Sequence, residues 1–153
     1  MEFGPATFGE LNADDYDALH DPGTTEESVA LIAELAGKGR ILELAIGTGR
    51  MALPLKQRGH DISGIEGSPA MVAKLREKPG GADIPVVIGY QRVRITTGGT
   101  RLVPLKMRYA WPQEIDLMAN LAGLERAHRW GGWQREPFTA KSEMHVSVYR
   151  KPS

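Results

Sequence analysis

The chain has 153 residues, of which 41% are hydrophobic and 25% are charged, values that are ordinary for one soluble domain with a buried core. Nineteen lysine and arginine residues balance nineteen aspartates and glutamates, so no net charge favours nucleic acid or an anionic membrane as a partner. The lack of cysteine excludes disulfides and thiolate metal ligands.

Residues 24–88 alternate between helix patterns and strand patterns. Thr24-Thr25-Glu26-Glu27 fits a capping box and begins a predicted helix, which Gly37 ends. Three mostly apolar strands and two helices then alternate, at 40–45, 50–58, 61–66, 68–77 and 84–88. Ser68 followed by Pro69 is typical of a helix start. This alternation predicts an α/β fold with a parallel sheet covered by helices.

The pattern changes in residues 91–153. Polar and apolar residues alternate on both sides of Gly98-Gly99, which predicts an antiparallel hairpin. Pro112 begins a predicted helix, and strands are predicted at 124–130 and 144–149. The parallel strands are therefore expected to be followed by an antiparallel hairpin and a C-terminal strand pair.

The segment from Glu43 to Gly49 lies where the first of these strands turns into a helix. Glycine at such a turn lets the backbone approach a ligand that a side chain would block. Glu66 ends the next strand, where a carboxylate can accept hydrogen bonds from ribose hydroxyls. A nucleoside site is therefore predicted at this edge of the sheet. The spacing Gly47-x-Gly49-x-x-Ala52 also fits the dinucleotide fingerprint, so the glycines alone leave two cofactors open.

The whole run from Glu43 through Glu66 to Gly67-Ser68-Pro69-Ala70-Met71 resembles motif I and the following acidic motif of the class I S-adenosylmethionine (SAM) dependent methyltransferases. The resemblance implies a Rossmann-like three-layer sandwich and SAM as the cofactor. It also implies that the first acid and the glycine turn hold the methionine moiety and that the second acid holds the ribose. The predicted cofactor-binding residues are Glu43, Ala45, Gly47, Thr48, Gly49, Glu66, Gly67, Ser68 and Met71.

Tyr16-Asp17-Ala18-Leu19-His20, with the helix after it, resembles the N-terminal cover that many small-molecule methyltransferases place over the cofactor. Tyr16 is the candidate wall of the methyl-transfer pocket, and His20 is the candidate general base. The predicted arrangement is a single domain, 1–153, with the cover and first helix in 1–37, a cofactor-binding half in 38–89 and an antiparallel half in 91–153. The four histidines are scattered, so no metal site is predicted.

The chain looks internally shortened in comparison with that family. A full class I domain has two further parallel strands after its third strand, whereas here the predicted hairpin begins only two residues after Tyr90. The exposed edge of strand 40–45 would then need another neighbour, and a second copy forming a homodimer is one candidate.

The resemblance implies transfer of a methyl group from SAM to an oxygen or nitrogen atom of a small-molecule acceptor, with no nucleic-acid or membrane partner. Two alternatives stay open: a non-catalytic remnant or minimal scaffold without an acceptor site, and a dinucleotide-binding oxidoreductase fragment. The N-terminal residues lack a signal-peptide pattern, so a cytoplasmic location is expected.

Overall fold

A computed structural model describes residues 6–89 and 110–152 of the chain. The chain divides into two compact units between Lys106 and Met107, and each unit is described by itself below. The predicted hairpin around Gly98-Gly99 lies outside the described residues. None of the helices in the two described ranges combines the length and the apolar character that crossing a bilayer requires.

The first unit is a parallel three-stranded sheet with helices, as the alternating pattern predicts. Two short helices come first, α1 (Thr7–Asn12) and α2 (Tyr16–Leu19), and α3 (Thr25–Ala36) follows them. The remaining elements are β1 (Ile41–Leu44), α4 (Ala52–Gln57), β2 (Ile62–Glu66), α5 (Pro69–Glu77) and β3 (Val86–Ile88). The strand order is β1-β2-β3, and the register places Ile41 beside Ile62 and Gly64 beside Val86.

One of the two predicted helix caps is confirmed and the other is wrong. Ser68 is extended, and its side chain accepts a hydrogen bond from the Met71 backbone N–H, with Pro69 at the first helical position. Thr24 precedes α3 as expected, but its side chain makes no capping hydrogen bond. The reason is its backbone, which at ψ 17° is not extended as an N-cap residue usually is. Its carbonyl oxygen instead accepts a hydrogen bond from the Ser28 hydroxyl at 2.6 Å.

The hydrophobic core lies on one face of the sheet. Leu55 of α4 and Leu75 of α5 are at most 1% exposed and belong to one cluster with Ile62 of β2. Side chains alternate between faces along a strand, so Leu42 and Leu44 of β1 point to the opposite face, where they are 58% and 59% exposed. Among residues 6–89, burial of apolar surface therefore holds helices against one side of β1.

Within residues 6–89 and 110–152, β1 is hydrogen-bonded to β2 and stands at the edge of the sheet. An edge strand presents unpaired backbone groups that can pair with another chain. A homodimer in which a second copy covers this edge of β1 stays a prediction.

The second unit consists of one helix and an antiparallel strand pair, α6 (Pro112–Leu121), β4 (Glu125–Trp130) and β5 (Val146–Arg150), as predicted. Arg129 of β4 donates hydrogen bonds to both carboxylate oxygens of Asp116 in α6, at 3.0 and 2.7 Å. The Tyr149 hydroxyl of β5 donates to the same carboxylate at 2.7 Å. These hydrogen bonds, with that from Arg129 first, hold the pKa of Asp116 below its ordinary value. One carboxylate thus joins all three elements.

Leu55→Ala and Leu42→Ala should affect stability very differently, because only Leu55 is buried. We expect Leu55→Ala to lower the free energy of unfolding by about 2–5 kcal/mol, the usual loss for a core leucine. Leu42→Ala should cost less than about 1 kcal/mol, since its side chain is largely exposed. Urea unfolding followed by circular dichroism measures both changes. An equal loss in the two variants would show that the exposed face of β1 is covered in solution.

Candidate functional site

The turn between β1 and α4 has an uncommon backbone conformation. Ala45, Gly47 and Gly49 all have positive φ, at 59°, 56° and 85°. The Gly49 N–H donates to the Ile46 carbonyl at 3.0 Å and closes the bend. A side-chain-bearing residue in the left-handed region costs about 1–2 kcal/mol, so Ala45 stores strain here. Such strain is concentrated at ligand-binding sites and active sites in many proteins.

The two glycines of the turn serve different purposes. A Cβ atom added to Gly49 would lie 2.3 Å from the Leu75 side chain, so this glycine is needed for packing against α5. A Cβ atom added to Gly47 would have its nearest neighbour, the Ala45 carbonyl oxygen, at 3.9 Å. A side chain at Gly47 would therefore meet its surroundings at ordinary van der Waals distance, so packing does not require glycine here.

The Glu66 side chain forms a hydrogen bond with this turn. Its Oε2 atom accepts a hydrogen bond from the Gly47 N–H at 2.8 Å, and its Oε1 atom accepts one from the Ser68 N–H at 2.8 Å. Each carboxylate oxygen has a second lone pair, so both oxygens can still accept a hydrogen bond from a ligand. The structure thus brings the second predicted acid to the glycine turn.

Glu43 is half-buried in β1, and its Oε2 atom is fully buried without a hydrogen-bond partner among the described residues. Burial raises the pKa of this carboxyl to about 7, although the nearby charge of Arg50 opposes the change. A buried acceptor without a partner is rare in a native protein. It indicates a place where a ligand can supply the missing donor.

The other residues predicted at the cofactor lie at the start of α5. Ser68 and Met71 are buried, at 2% and 4% exposure. The Ser68 hydroxyl oxygen accepts the capping hydrogen bond from the Met71 N–H. A Cβ atom added to Gly9 of α1 would lie 2.3 Å from the Ser68 hydroxyl oxygen, so α1 packs closely on this helix start. Gly67 connects the capping serine to Glu66. Direct contact of these three residues with a cofactor stays a prediction.

Residues 6–20, the segment predicted to cover the cofactor, contribute a group of aromatic rings next to the candidate site. The Tyr16 ring stacks on the His20 ring, with centroids 4.7 Å apart, and Phe8 meets Tyr16 edge-on at 6.3 Å. Asp17, the neighbour of Tyr16, accepts a hydrogen bond from the Thr48 hydroxyl. The helix α2 therefore lies against the glycine turn, and its role as a cover stays a prediction. The roles of Tyr16 as a pocket wall and of His20 as a base stay predictions.

Sequence reasoning did not single out Asp17 or Lys78, which both contact Thr48. No spacing along the chain connects these residues, so a sequence signal for them is lacking. The described ranges contain no group of three or more histidine, aspartate or glutamate side chains that could hold a metal ion.

Comparison with sequence relatives points to methyltransferases. No protein-family model matches the chain. The protein YqeM of Bacillus subtilis strain 168, whose name proposes a methyltransferase, is 36% identical over 66 residues, which are 43% of this chain and 26% of YqeM. The 23S rRNA (uracil(1939)-C(5))-methyltransferase RlmD of Thiobacillus denitrificans is 36% identical over 77 residues, which are 50% of this chain and 16% of that enzyme. The matches thus span about a quarter or less of these relatives.

Solved structures extend the similarity to nearly the whole chain. The CcbJ methyltransferase from Streptomyces caelestis matches with a TM-score of 0.82 and 26% identity, covering 99% of this chain and 100% of that chain. The chain has the Rossmann-like methyltransferase fold. A TehB-like SAM-dependent methyltransferase from Corynebacterium glutamicum shares the fold at a TM-score of 0.68 and 18% identity, covering 95% of this chain and 96% of that chain. The internal shortening of the chain stays a prediction.

Alanine at Gly49 and alanine at Gly47 should have separable effects. Gly49→Ala combines a strained backbone with a clash against a fully buried leucine, and we expect it to cost about 2–5 kcal/mol of stability. Gly47→Ala should cost only about 1–2 kcal/mol, because Ala45 already tolerates a similar φ and the added methyl meets no atom closer than 3.9 Å. Thermal unfolding of both variants measures the difference. A larger loss for Gly47→Ala would contradict the absence of a clash at this glycine.

The raised pKa of Glu43 predicts a pH dependence of stability. Between about pH 4.5 and 7 the folded state keeps a proton that the unfolded chain releases, so stability is full below this window and falls as pH rises through it. We expect a loss of at most about 3 kcal/mol, which Glu43→Gln removes. Urea unfolding at pH 5 and pH 8 checks this expectation. Glu26→Gln, which changes an exposed carboxylate, should keep the wild-type dependence of stability on pH. The same pH dependence in Glu43→Gln would show that Glu43 is not its source.

Proposed function

We propose that the chain binds SAM at the glycine turn and transfers its methyl group to an oxygen or nitrogen atom of a small molecule. The observation that carries this proposal is the hydrogen bond between the Gly47 N–H and Glu66. It places a carboxylate with free lone pairs beside the glycine bend of the backbone. The methyltransferase fold and the methyltransferase names of the sequence relatives support SAM over a dinucleotide.

The polar groups of the site match the two ends of an adenosyl amino acid. Glu66 can accept hydrogen bonds from the two ribose hydroxyls, because each of its oxygens uses only one lone pair within the protein. The unpartnered Oε2 atom of Glu43 can accept a hydrogen bond from the ammonium group of the methionine end.

SAM supplies the chemistry, a methyl group activated by attachment to a sulfonium. The chain supplies binding, alignment and exclusion of water, which can account for several kcal/mol of rate acceleration without a dedicated base. Tyr16 is the proposed wall beside the sulfonium, where an aromatic face contributes about 0.5–2 kcal/mol. His20 remains the candidate for a proton acceptor and is exposed.

The balanced charge of the chain supports a small-molecule acceptor, since binding to RNA depends mainly on cationic side chains. RNA is a second candidate because the RlmD relatives act on 23S rRNA by name. A fluorescence-anisotropy titration with a 23S rRNA hairpin at physiological salt separates the two. A small-molecule enzyme should show no binding, whereas submicromolar, salt-dependent binding would favour RNA.

Calorimetric titration with SAM, S-adenosylhomocysteine and NAD tests the cofactor. We expect heat and thermal stabilisation from the two sulfur nucleosides and none from NAD. Glu66→Ala should weaken SAM binding by roughly 10–100-fold, because charged hydrogen bonds to two hydroxyls are lost. Glu26→Ala, on an exposed surface, serves as the control. Selective binding of NAD would favour the hypothesis of a dinucleotide-binding oxidoreductase fragment.

Catalysis is tested separately, by transfer of radiolabelled methyl from SAM to a panel of small hydroxyl and amine acceptors. Tight SAM binding without transfer to any acceptor would favour the non-catalytic scaffold. Unchanged SAM affinity in Glu66→Ala would remove this residue from the site.

A further inference from the structure

Thr48, the central residue of the glycine turn, is held by two side chains from other elements. It is 1% exposed, and its hydroxyl donates a hydrogen bond to Asp17 Oδ1 at 2.5 Å. Its carbonyl oxygen accepts a hydrogen bond from Lys78 Nζ at 2.9 Å. The side chain and the backbone of one residue are thus fixed from two directions.

The two side chains that hold Thr48 also hold each other. Lys78 Nζ lies 2.5 Å from Asp17 Oδ2, so the three residues form a closed ring of contacts. Asp17 belongs to α2 of the cover, and Lys78 is the residue directly after α5. Burial of Asp17 acts to raise its pKa, but the hydrogen bonds from Lys78 and Thr48 and the charge of Lys78 outweigh it, so the pKa falls below its ordinary value.

The glycine turn needs such support because its own sequence does not determine its shape. Glycine populates several backbone conformations about equally, so Gly47 and Gly49 cost conformational entropy when they are fixed. Glu66 fixes the turn at the Gly47 N–H, on the side of β2. Asp17 of the cover and Lys78 at the end of α5 fix it one residue later, at Thr48.

We propose that Asp17 and Lys78 are positioning residues that tie the N-terminal cover, residues 6–20, to the glycine turn, so that closing the cover and shaping the cofactor site are one event. This inference rests on the proposed SAM site. The ion pair must open before the cover can leave the turn, so it should slow the release of the cofactor. Because the Asp17 and Lys78 side chains are 51% and 29% exposed, added salt should weaken the tie.

The chain offers a matched control in Lys74. Lys74 Nζ pairs with Asp14 Oδ1 at 2.8 Å, so it also joins α5 to the cover by a lysine–aspartate pair, and it pairs with Glu77 as well. Unlike Lys78, it makes no contact with the glycine turn within the described residues. Lys78→Met and Lys74→Met therefore remove the same charge from the same helix region, and only the first removes a hydrogen bond to Thr48.

The test measures SAM affinity by calorimetry and SAM release by stopped-flow fluorescence. Lys78→Met should weaken binding roughly three- to tenfold, mainly through faster release, while Lys74→Met stays within about twofold of wild type. Lys78→Arg, which keeps the charge and the donors, should recover part of the loss. Equal effects of the two methionine variants, or none in Lys78→Met, would overturn the proposal, because a merely stabilising ion pair shifts the melting temperature and leaves release unchanged.

Hydrogen exchange of the ligand-free protein separates this inference from the proposed function. Lys78→Met should speed exchange in residues 16–20 and 46–50 relative to Lys74→Met, whether or not a cofactor binds. If wild type binds neither SAM nor S-adenosylhomocysteine, the proposed function fails, and faster exchange still supports the tie between cover and turn. Identical exchange in the two variants would overturn that tie.

Discussion

The hydrogen bond from the Gly47 N–H to Glu66 Oε2 joins the bend after β1 to the carboxyl end of β2. Parallel strands place these two ends at the same edge of the sheet, and the charged acceptor then fixes the distance between them. The same carboxylate accepts from the Ser68 N–H, which connects the bend to the start of α5. The bend, the strand end and the helix start thus share one anchor, and the shape of the site depends on it.

The two carboxylates of the candidate site differ in their hydrogen bonding. Glu66 is satisfied by backbone amides, whereas Glu43 has a buried oxygen without a donor in the described residues and a pKa raised to about 7. A buried polar group without a partner lowers stability. An unpartnered buried oxygen beside a strained turn lowers stability, and such features are concentrated at ligand-binding sites in many proteins.

The cover is joined to this site by contacts of two kinds. Gly9 allows α1 to pack directly on Ser68, a contact that any larger residue would prevent. Asp17 adds a polar link from α2 to Thr48 and Lys78. Close packing determines where the cover lies, and the exposed ion pair is the weaker link that can open. In the proposed site, a segment held in this way would exclude water from the cofactor and still allow exchange.

The sequence alone determined the order of the described helices and strands from α3 onward, the glycine turn and the Ser68 cap, because these depend on periodicity and on the preferences of adjacent residues, whereas α1 and α2 were not predicted. It also placed Glu43 and Glu66 on neighbouring strands. Only the tertiary structure decided that packing requires glycine at Gly49 but not at Gly47, that Glu43 lacks a donor among the described residues, and that Asp17 and Lys78 meet at Thr48. Those features arise from contacts between residues far apart in the chain, where local preference carries no information about what the side chain will meet.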